Sequence, residues 1–103
     1  MNFFDPQTGG PYHVLITHEV ESYPLWKAVF DQAADMRKAA GETAFLLLHH
    51  DNDTNTIVHF SSWTSLSAAR RFFESRELME IRRMAGVKAP RFAYLNEIER
   101  GIL

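Results

Sequence analysis

The sequence predicts an α+β fold in which helices cover one face of a four-stranded antiparallel sheet. Four stretches alternate along the chain with the period of two that is typical of β-strands, and two longer stretches repeat apolar residues at helical spacing. Their order is strand, helix, strand, strand, helix, strand, which is the split β-α-β order of the ferredoxin-like fold. Right-handed crossovers then place the third strand between the first and second, with the fourth beside the first.

The first strand and the first helix are predicted over residues 12–20 and 25–40. Ser22 has the side chain of a helix N-cap, because its hydroxyl can accept a hydrogen bond from a free backbone N–H of the first turn. The helical stretch carries a one-sided apolar stripe, and Gly41 is its expected stop.

The second and third strands are predicted over residues 43–50 and 56–63, joined by the turn cluster 51–55 into a hairpin. Both faces of the third strand carry large or apolar side chains, so it is expected to lie inside the molecule. His59 and Trp63 share one of these faces. A polar imidazole beside a large ring indicates a pocket.

The second helix is predicted over residues 66–85, with an interruption near Ser75. Gly86 is expected to end it, and Pro90 to break the connection that follows. The last strand is predicted over residues 91–99. Both helices are then expected to cover the same face of the sheet.

The uncovered face of the sheet predicts a homodimer. An apolar patch of this size on a monomer normally marks an interface, so we expect two sheets to pair face to face. The residues assigned to this face from strand alternation are Leu15, Ala44, Leu46, Leu48, Val58, Phe60, Phe92 and Tyr94.

Length and composition narrow the function classes. The 103 residues fit one domain, predicted over residues 12–103 behind an extended N-terminal arm at 1–11. The chain has no cysteine, which excludes thiol catalysis and disulfides. A net charge of −2 gives no support for nucleic-acid binding, and no apolar run is long enough to cross a membrane. The start lacks the features of a signal peptide, so we expect a cytoplasmic protein.

Three histidines are candidates for chemistry. His18, His49 and His59 fall on the face assigned to the helices, on three neighbouring strands. They could form a general base with a substrate-orienting partner, with His18 and His59 as the catalytic candidates, or a three-histidine metal site. They could equally be core histidines bonded to backbone carbonyls or carboxylates. We expect no metal, because no carboxylate is evident on the same face to support the ligands.

Aromatic residues are the candidate walls of a ligand pocket. Trp63 ends the third strand just before the second helix, which carries Phe72 and Phe73. The same residues could simply be core. No glycine-rich phosphate loop, nucleophile elbow or paired-carboxylate constellation is present in the sequence.

Four short segments carry a resemblance to a known family, the first of them in two pieces at 17–20 and 22–31. The sequence resembles the dimeric α/β-barrel superfamily, which includes the antibiotic-biosynthesis monooxygenases, and is most similar to its small single-domain members of unassigned function. The segments are 17–20 (THEV), 22–31 (SYPLWKAVFD), 37–41 (RKAAG), 51–55 (DNDTN), and 62–63 (SW) with 85–87 (AGV).

The resemblance implies a small-molecule protein without a cofactor. Haem-degrading members use a polar residue on the first strand, a Trp at the end of the third and a His on the second helix. Trp63 resembles the second of these and His18 lies near the first, but Arg70-Arg71 and the phenylalanines after them occupy the helical position. Haem is therefore not expected. Cofactor-free oxygenation of a phenolic or polycyclic compound is implied, with a non-catalytic ligand-binding or structural homodimer as the alternative.

Overall fold

The computed structural model describes residues 10–103 of the chain. Most of the predicted N-terminal arm, residues 1–9, lies outside the described residues. A backbone hydrogen bond joins the segment before the first strand to the segment after the last strand, since the Glu97 N–H donates to the Pro11 carbonyl at 2.7 Å.

The strand order confirms the predicted topology. The sheet is antiparallel with the order β2-β3-β1-β4, so the third strand lies at the centre beside the first. The elements are β1 (Tyr12–Val20), α1 (Tyr23–Gln32), α2 (Ala34–Ala40), β2 (Glu42–His50), β3 (Asp53–Trp63), α3 (Leu66–Phe73), α4 (Arg76–Met84) and β4 (Val87–Asn96).

Three of the helices have a serine as their N-cap residue. The predicted N-cap is confirmed, since the Ser22 hydroxyl accepts from the Leu25 N–H. Ser65 caps α3 in the same way. The interruption predicted near Ser75 is also confirmed, because the Ser75 hydroxyl caps a new helix by accepting from the backbone of Leu78. Each such cap is typically worth about 1 kcal/mol.

The prediction of one continuous helix over residues 25–40 is wrong. Helical geometry lapses at Ala33, whose φ of −87° and ψ of 5° lie in the bridge region, and α2 then starts as a separate segment. The second segment carries Arg37, which is buried. It ends as expected at Gly41, where φ is 124° and a Cβ would meet the Thr64 hydroxyl at 2.7 Å.

Three predictions about the last strand are wrong. It spans Val87–Asn96 rather than residues 91–99, and Pro90 lies within it. An edge strand tolerates proline, because the side without an N–H can face away from its neighbour. Phe92 and Tyr94 were assigned to the open face, but they pair with Ile16 and Val14 of β1 and pack under the helices. Cross-strand partners share a face, so the register overrides the assignment.

The core lies between the sheet and the helices as two clusters. One is centred on Trp63, Ala69 and Phe73, and the other on Trp26, Phe30 and Ile57. The opposite face of the sheet has no helix, and Leu46, Leu48 and Leu95 remain 39–48% exposed. Within residues 10–103, no helix is long and apolar enough to cross a membrane.

Candidate functional site

A small cavity lies between the sheet and the helices, where the two core clusters meet. Its volume is about 70 Å³. Pockets that hold drug-sized ligands measure roughly 300–1,000 Å³, so the cavity as it stands has room for little more than water molecules. Aromatic walls come from Trp26, Phe30, Phe72 and Phe73, and polar groups from His18, Arg37, His59 and Arg82.

A buried chain of charged and polar groups forms one side of the cavity. The Glu42 carboxylate accepts from the Arg37 guanidinium at 2.9 Å with one oxygen and contacts His59 Nε2 at 2.8 Å with the other. The three side chains are 4–8% exposed. Arg37 also stacks on the Phe30 ring, with 3.7 Å between the guanidinium carbon and the ring centre. A carboxylate is thus shared between a permanent cation and an imidazole, shielded from water.

Glu42 lies one residue before the predicted second strand and is not among the candidates singled out from the sequence. Regular alternation would put it on the same face as Ala44, the open face of the sheet. A bulge between the two residues breaks this pattern, since Glu42 pairs with Trp63 while Ala44 pairs with Ser62. The extra residue turns the carboxylate to the helix side. The sequence offers no signal for this pair, because the burial of Arg37, five residues earlier, is visible only in the structure.

His18 lies on the cavity wall with both ring nitrogens unpartnered within residues 10–103. Its ring packs against Trp26 at 5.2 Å between centroids. Burial, reinforced by the neighbouring His59 and Arg82, lowers the pKa of His18 to about 4. His18 is therefore neutral at physiological pH, and within residues 10–103 its buried N–H has no protein acceptor.

The lowered pKa of His18 predicts acid sensitivity. The unfolded imidazole titrates near 6.5 and the folded one near 4, so below pH 6.5 the unfolded chain binds a proton that the folded chain does not. Between pH 7.5 and 4.5, His18 should therefore cost the parent about 2–3 kcal/mol of unfolding free energy. We expect His18→Met to abolish this part of the loss, measured by urea denaturation at both pH values. Parallel pH dependence in parent and variant would contradict it.

The three aromatic residues assigned to a ligand pocket lie together. Phe72 and Phe73 line the cavity, and Trp63 contacts both, at 5.6 and 5.2 Å between centroids. Trp63 itself is 1% exposed in the core, and its indole N–H donates to the Ser61 hydroxyl at 2.8 Å. The part of Trp63 in ligand binding stays a prediction.

The three candidate histidines do not converge. Leu47 and His49 pair with His59 and Ile57. His49 is nevertheless exposed near the hairpin end, with Nδ1 at 2.6 Å from the His50 carbonyl. Among residues 10–103, no cluster of three or more His, Cys, Asp or Glu side chains could hold a metal ion.

A second histidine network lies on the open face of the sheet. His13 Nδ1 is 3.0 Å from the Ser62 hydroxyl, and His13 Nε2 is 2.7 Å from Glu97. Hydrogen bonds from Arg100 and His13 lower the pKa of Glu97. The order serine, histidine, glutamate resembles a nucleophilic triad, but Ser62 is fully buried. A substrate carbonyl cannot reach it, so the network ties the end of the chain to the sheet.

Solved structures share this fold. SnoaB, a cofactor-independent oxygenase from Streptomyces nogalater, is similar at 16% identity with a TM-score of 0.70, over 85% of this chain and 93% of that one. A candidate antibiotic biosynthesis monooxygenase from Caulobacter crescentus CB15 has 19% identity and a TM-score of 0.68, over 88% and 92% of the two chains. Another from Bordetella bronchiseptica has 14% identity and a TM-score of 0.70, over 85% and 97%.

These similarities establish the fold. No protein-family model and no curated protein sequence matches the chain. The similar structures are antibiotic-biosynthesis-monooxygenase-like proteins, which confirms the ferredoxin-like fold and the resemblance seen in the sequence. The pairing of two sheets into a barrel stays a prediction.

Proposed function

We propose that this protein is a cofactor-free, monooxygenase-like enzyme that acts on a phenolic or polycyclic compound. The observation that carries the proposal is the cavity, in which an imidazole backed by a carboxylate lies among aromatic walls. Pockets for small molecules are mostly apolar with a few convergent polar groups. The fold shared with a cofactor-independent oxygenase supports the same reading. His18 and His59 are the candidate bases, and Trp63, Phe72 and Phe73 the aromatic surroundings of the substrate ring.

The chemistry requires a base and no resident oxidant. An acidic phenol that loses a proton to an imidazole becomes electron-rich enough to reduce dioxygen, the co-substrate. In the net reaction a CH₂ group beside the ring and one O₂ become a C=O group and one H₂O. The carbon loses four electrons and the two oxygen atoms gain them. The protein supplies the proton acceptor, an oriented apolar surface and exclusion of bulk water.

The volume of the cavity favours a second candidate function. A tricyclic ring system cannot enter about 70 Å³, so binding requires the helices to move away from the sheet. If they do not move, the histidines are core residues and the protein is a non-catalytic ligand-binding or structural homodimer. Ligand-induced widening therefore separates the two candidates.

Oxygen uptake with dithranol, an acidic tricyclic phenol, tests the enzyme. The parent should consume one O₂ per dithranol without added metal or flavin. His59→Ala should lower the rate by roughly 10²-fold or more, the contribution typical of a general base. His49→Ala is the matched control, because His49 is exposed and does not line the cavity. Equal rates for parent, variant and a protein-free blank would reject the oxygenase.

We also propose that two copies of the chain pair through the open face of the sheet. This face carries Leu46, Leu48 and Leu95 with no helix above them, and the partly exposed Val58 lies beside them. A second copy presents the same apolar surface, so a two-fold axis makes the face self-complementary. Burial of this surface would be favourable at about 25 cal/mol per Å² of apolar area.

Light scattering should give about twice the 11.9 kDa mass of the chain at micromolar concentration. The double variant Leu46→Glu/Leu48→Glu should give the single-chain mass, because four carboxylates would meet in the interface. Leu25→Glu is the control, since Leu25 is as exposed as Leu48 but lies on α1. A monomeric parent would contradict the proposal.

A further inference from the structure

We propose that Glu42 and Arg37 are positioning residues that hold His59 with a bare Nδ1 as the proton acceptor of the cavity. This inference rests on the proposed function, because it names which histidine takes the proton and what holds it ready. Glu42 and Arg37 act through His59 and are not themselves catalytic.

The ion pair settles which nitrogen of His59 carries a hydrogen. Arg37 keeps its charge under all ordinary conditions, and its guanidinium donates to one oxygen of the Glu42 carboxylate. Glu42 is therefore an acceptor with no hydrogen to give. At 2.8 Å from the other carboxylate oxygen, His59 Nε2 must be the donor. In the neutral imidazole Nδ1 is then the nitrogen without a hydrogen, and it can accept a proton.

Packing holds the ring in this orientation. The His59 imidazole meets Phe30 edge to face, at 5.1 Å and 88°, and Phe45 at 6.3 Å and 79°. Phe30 is itself fixed between Trp26 and the Arg37 guanidinium. A 180° flip of the ring about the Cβ–Cγ bond would place the carbon Cε1 where Nε2 now lies and would break the hydrogen bond to the carboxylate. The geometry thus lets His59 receive a proton at Nδ1 while Glu42 compensates the new charge on the imidazolium.

His18 lacks these supports. No carboxylate contacts it, and both nitrogens are without partners within residues 10–103. The titratable and charged groups around the cavity are Glu42 and Arg37 beside His59, and Arg82 from α4 beside His18. Burial, together with the neighbouring His59 and Arg82, lowers the pKa of His18 to about 4, so it takes a proton poorly at neutral pH. His18 is therefore a neutral residue of the cavity wall, and His59 is the proton acceptor.

Nitrogen NMR of the imidazole rings tests the positioning directly. In protein labelled with ¹⁵N-histidine at neutral pH, the parent should show His59 with Nε2 protonated and Nδ1 bare, assigned by the loss of its signals in His59→Ala. The double variant Arg37→Met/Glu42→Gln removes both charges together and should lose this single tautomer. Lys27→Met/Asp31→Asn removes an exposed ion pair of the same type and should leave the spectrum unchanged.

Kinetics with dithranol separates this inference from the proposed function. The double variant should have a kcat at least about tenfold lower than that of the parent, with a KM within about twofold of the parental value. The loss should not exceed the roughly 10²–10⁴-fold decrease in rate that removal of a general base itself causes. Circular dichroism checks that it is folded. A proton on Nδ1 in the parent, or a folded double variant with parental kcat, overturns the inference. If the parent leaves dithranol unchanged, the oxygenase fails, while the tautomer spectra still decide the positioning.

Discussion

Glu42→Ala is expected to lower the free energy of unfolding by about 3–5 kcal/mol, because it leaves the Arg37 charge buried without its carboxylate. Breaking a buried pair costs more than removing it, since the remaining ion keeps its desolvation penalty. His59 Nε2 loses its acceptor in the same variant, which adds to the loss. For a domain of this size the total stability is of the order of 5–15 kcal/mol, so the variant should be close to unfolding.

The double variant Arg37→Met/Glu42→Gln is the control for this result. Replacement of a whole buried pair by groups of similar volume is often neutral or stabilising, so it should lie within about 1–2 kcal/mol of the parent. Urea denaturation followed by circular dichroism, at one fixed protein concentration, measures all three proteins. A single variant as stable as the double variant would mean that water reaches Arg37.

Trp63→Ala is expected to destabilise the fold by about 3–5 kcal/mol, because it removes the largest fully buried side chain from one of the two core clusters. The Phe72 and Phe73 rings lose their aromatic neighbour, and the Ser61 hydroxyl loses its donor. A cavity remains unless α3 settles onto the sheet. The change should appear in the urea midpoint with little change in the m-value.

Trp63→Phe separates the packing of the ring from its hydrogen bond. It keeps an aromatic ring and removes the indole N–H, so its cost should be well below that of Trp63→Ala. If Trp63→Ala instead retained parental stability and only weakened dithranol binding, the indole would be a pocket wall and not a core residue. This pair of variants therefore decides a question that the sequence left open.

The order of the elements and the place of most histidines could be predicted because both follow from local patterns. A period of two or of 3.6 residues is set by backbone geometry alone, so it survives any tertiary arrangement. The same rule put His18 and His59 on the helix side of adjacent strands, where the structure has them. The serine cap of α1 and the stop at Gly41 are likewise local features.

The predictions failed where a residue's surroundings depend on another strand. Alternation reports which residues share a face only while the strand stays regular. The register of β4 against β1 turns Phe92 and Tyr94 inward, against their predicted face. A bulge at the start of β2 likewise turns Glu42 inward, although no face was predicted for it. Pairing of strands depends on packing across the whole sheet, which no local window contains.

The candidate site divides in the same way. The chain's periodicity predicts that a polar imidazole, His59, lies among apolar and aromatic residues beneath the helices, because period and composition are carried by neighbours along the chain. Three features are visible only once the chain is folded: Glu42 backs His59, both ring nitrogens of His18 lack a partner within residues 10–103, and the space between the two histidines is small. Such distances depend on how separate elements pack, and a shift of one residue in a strand's register reverses the face that each side chain occupies.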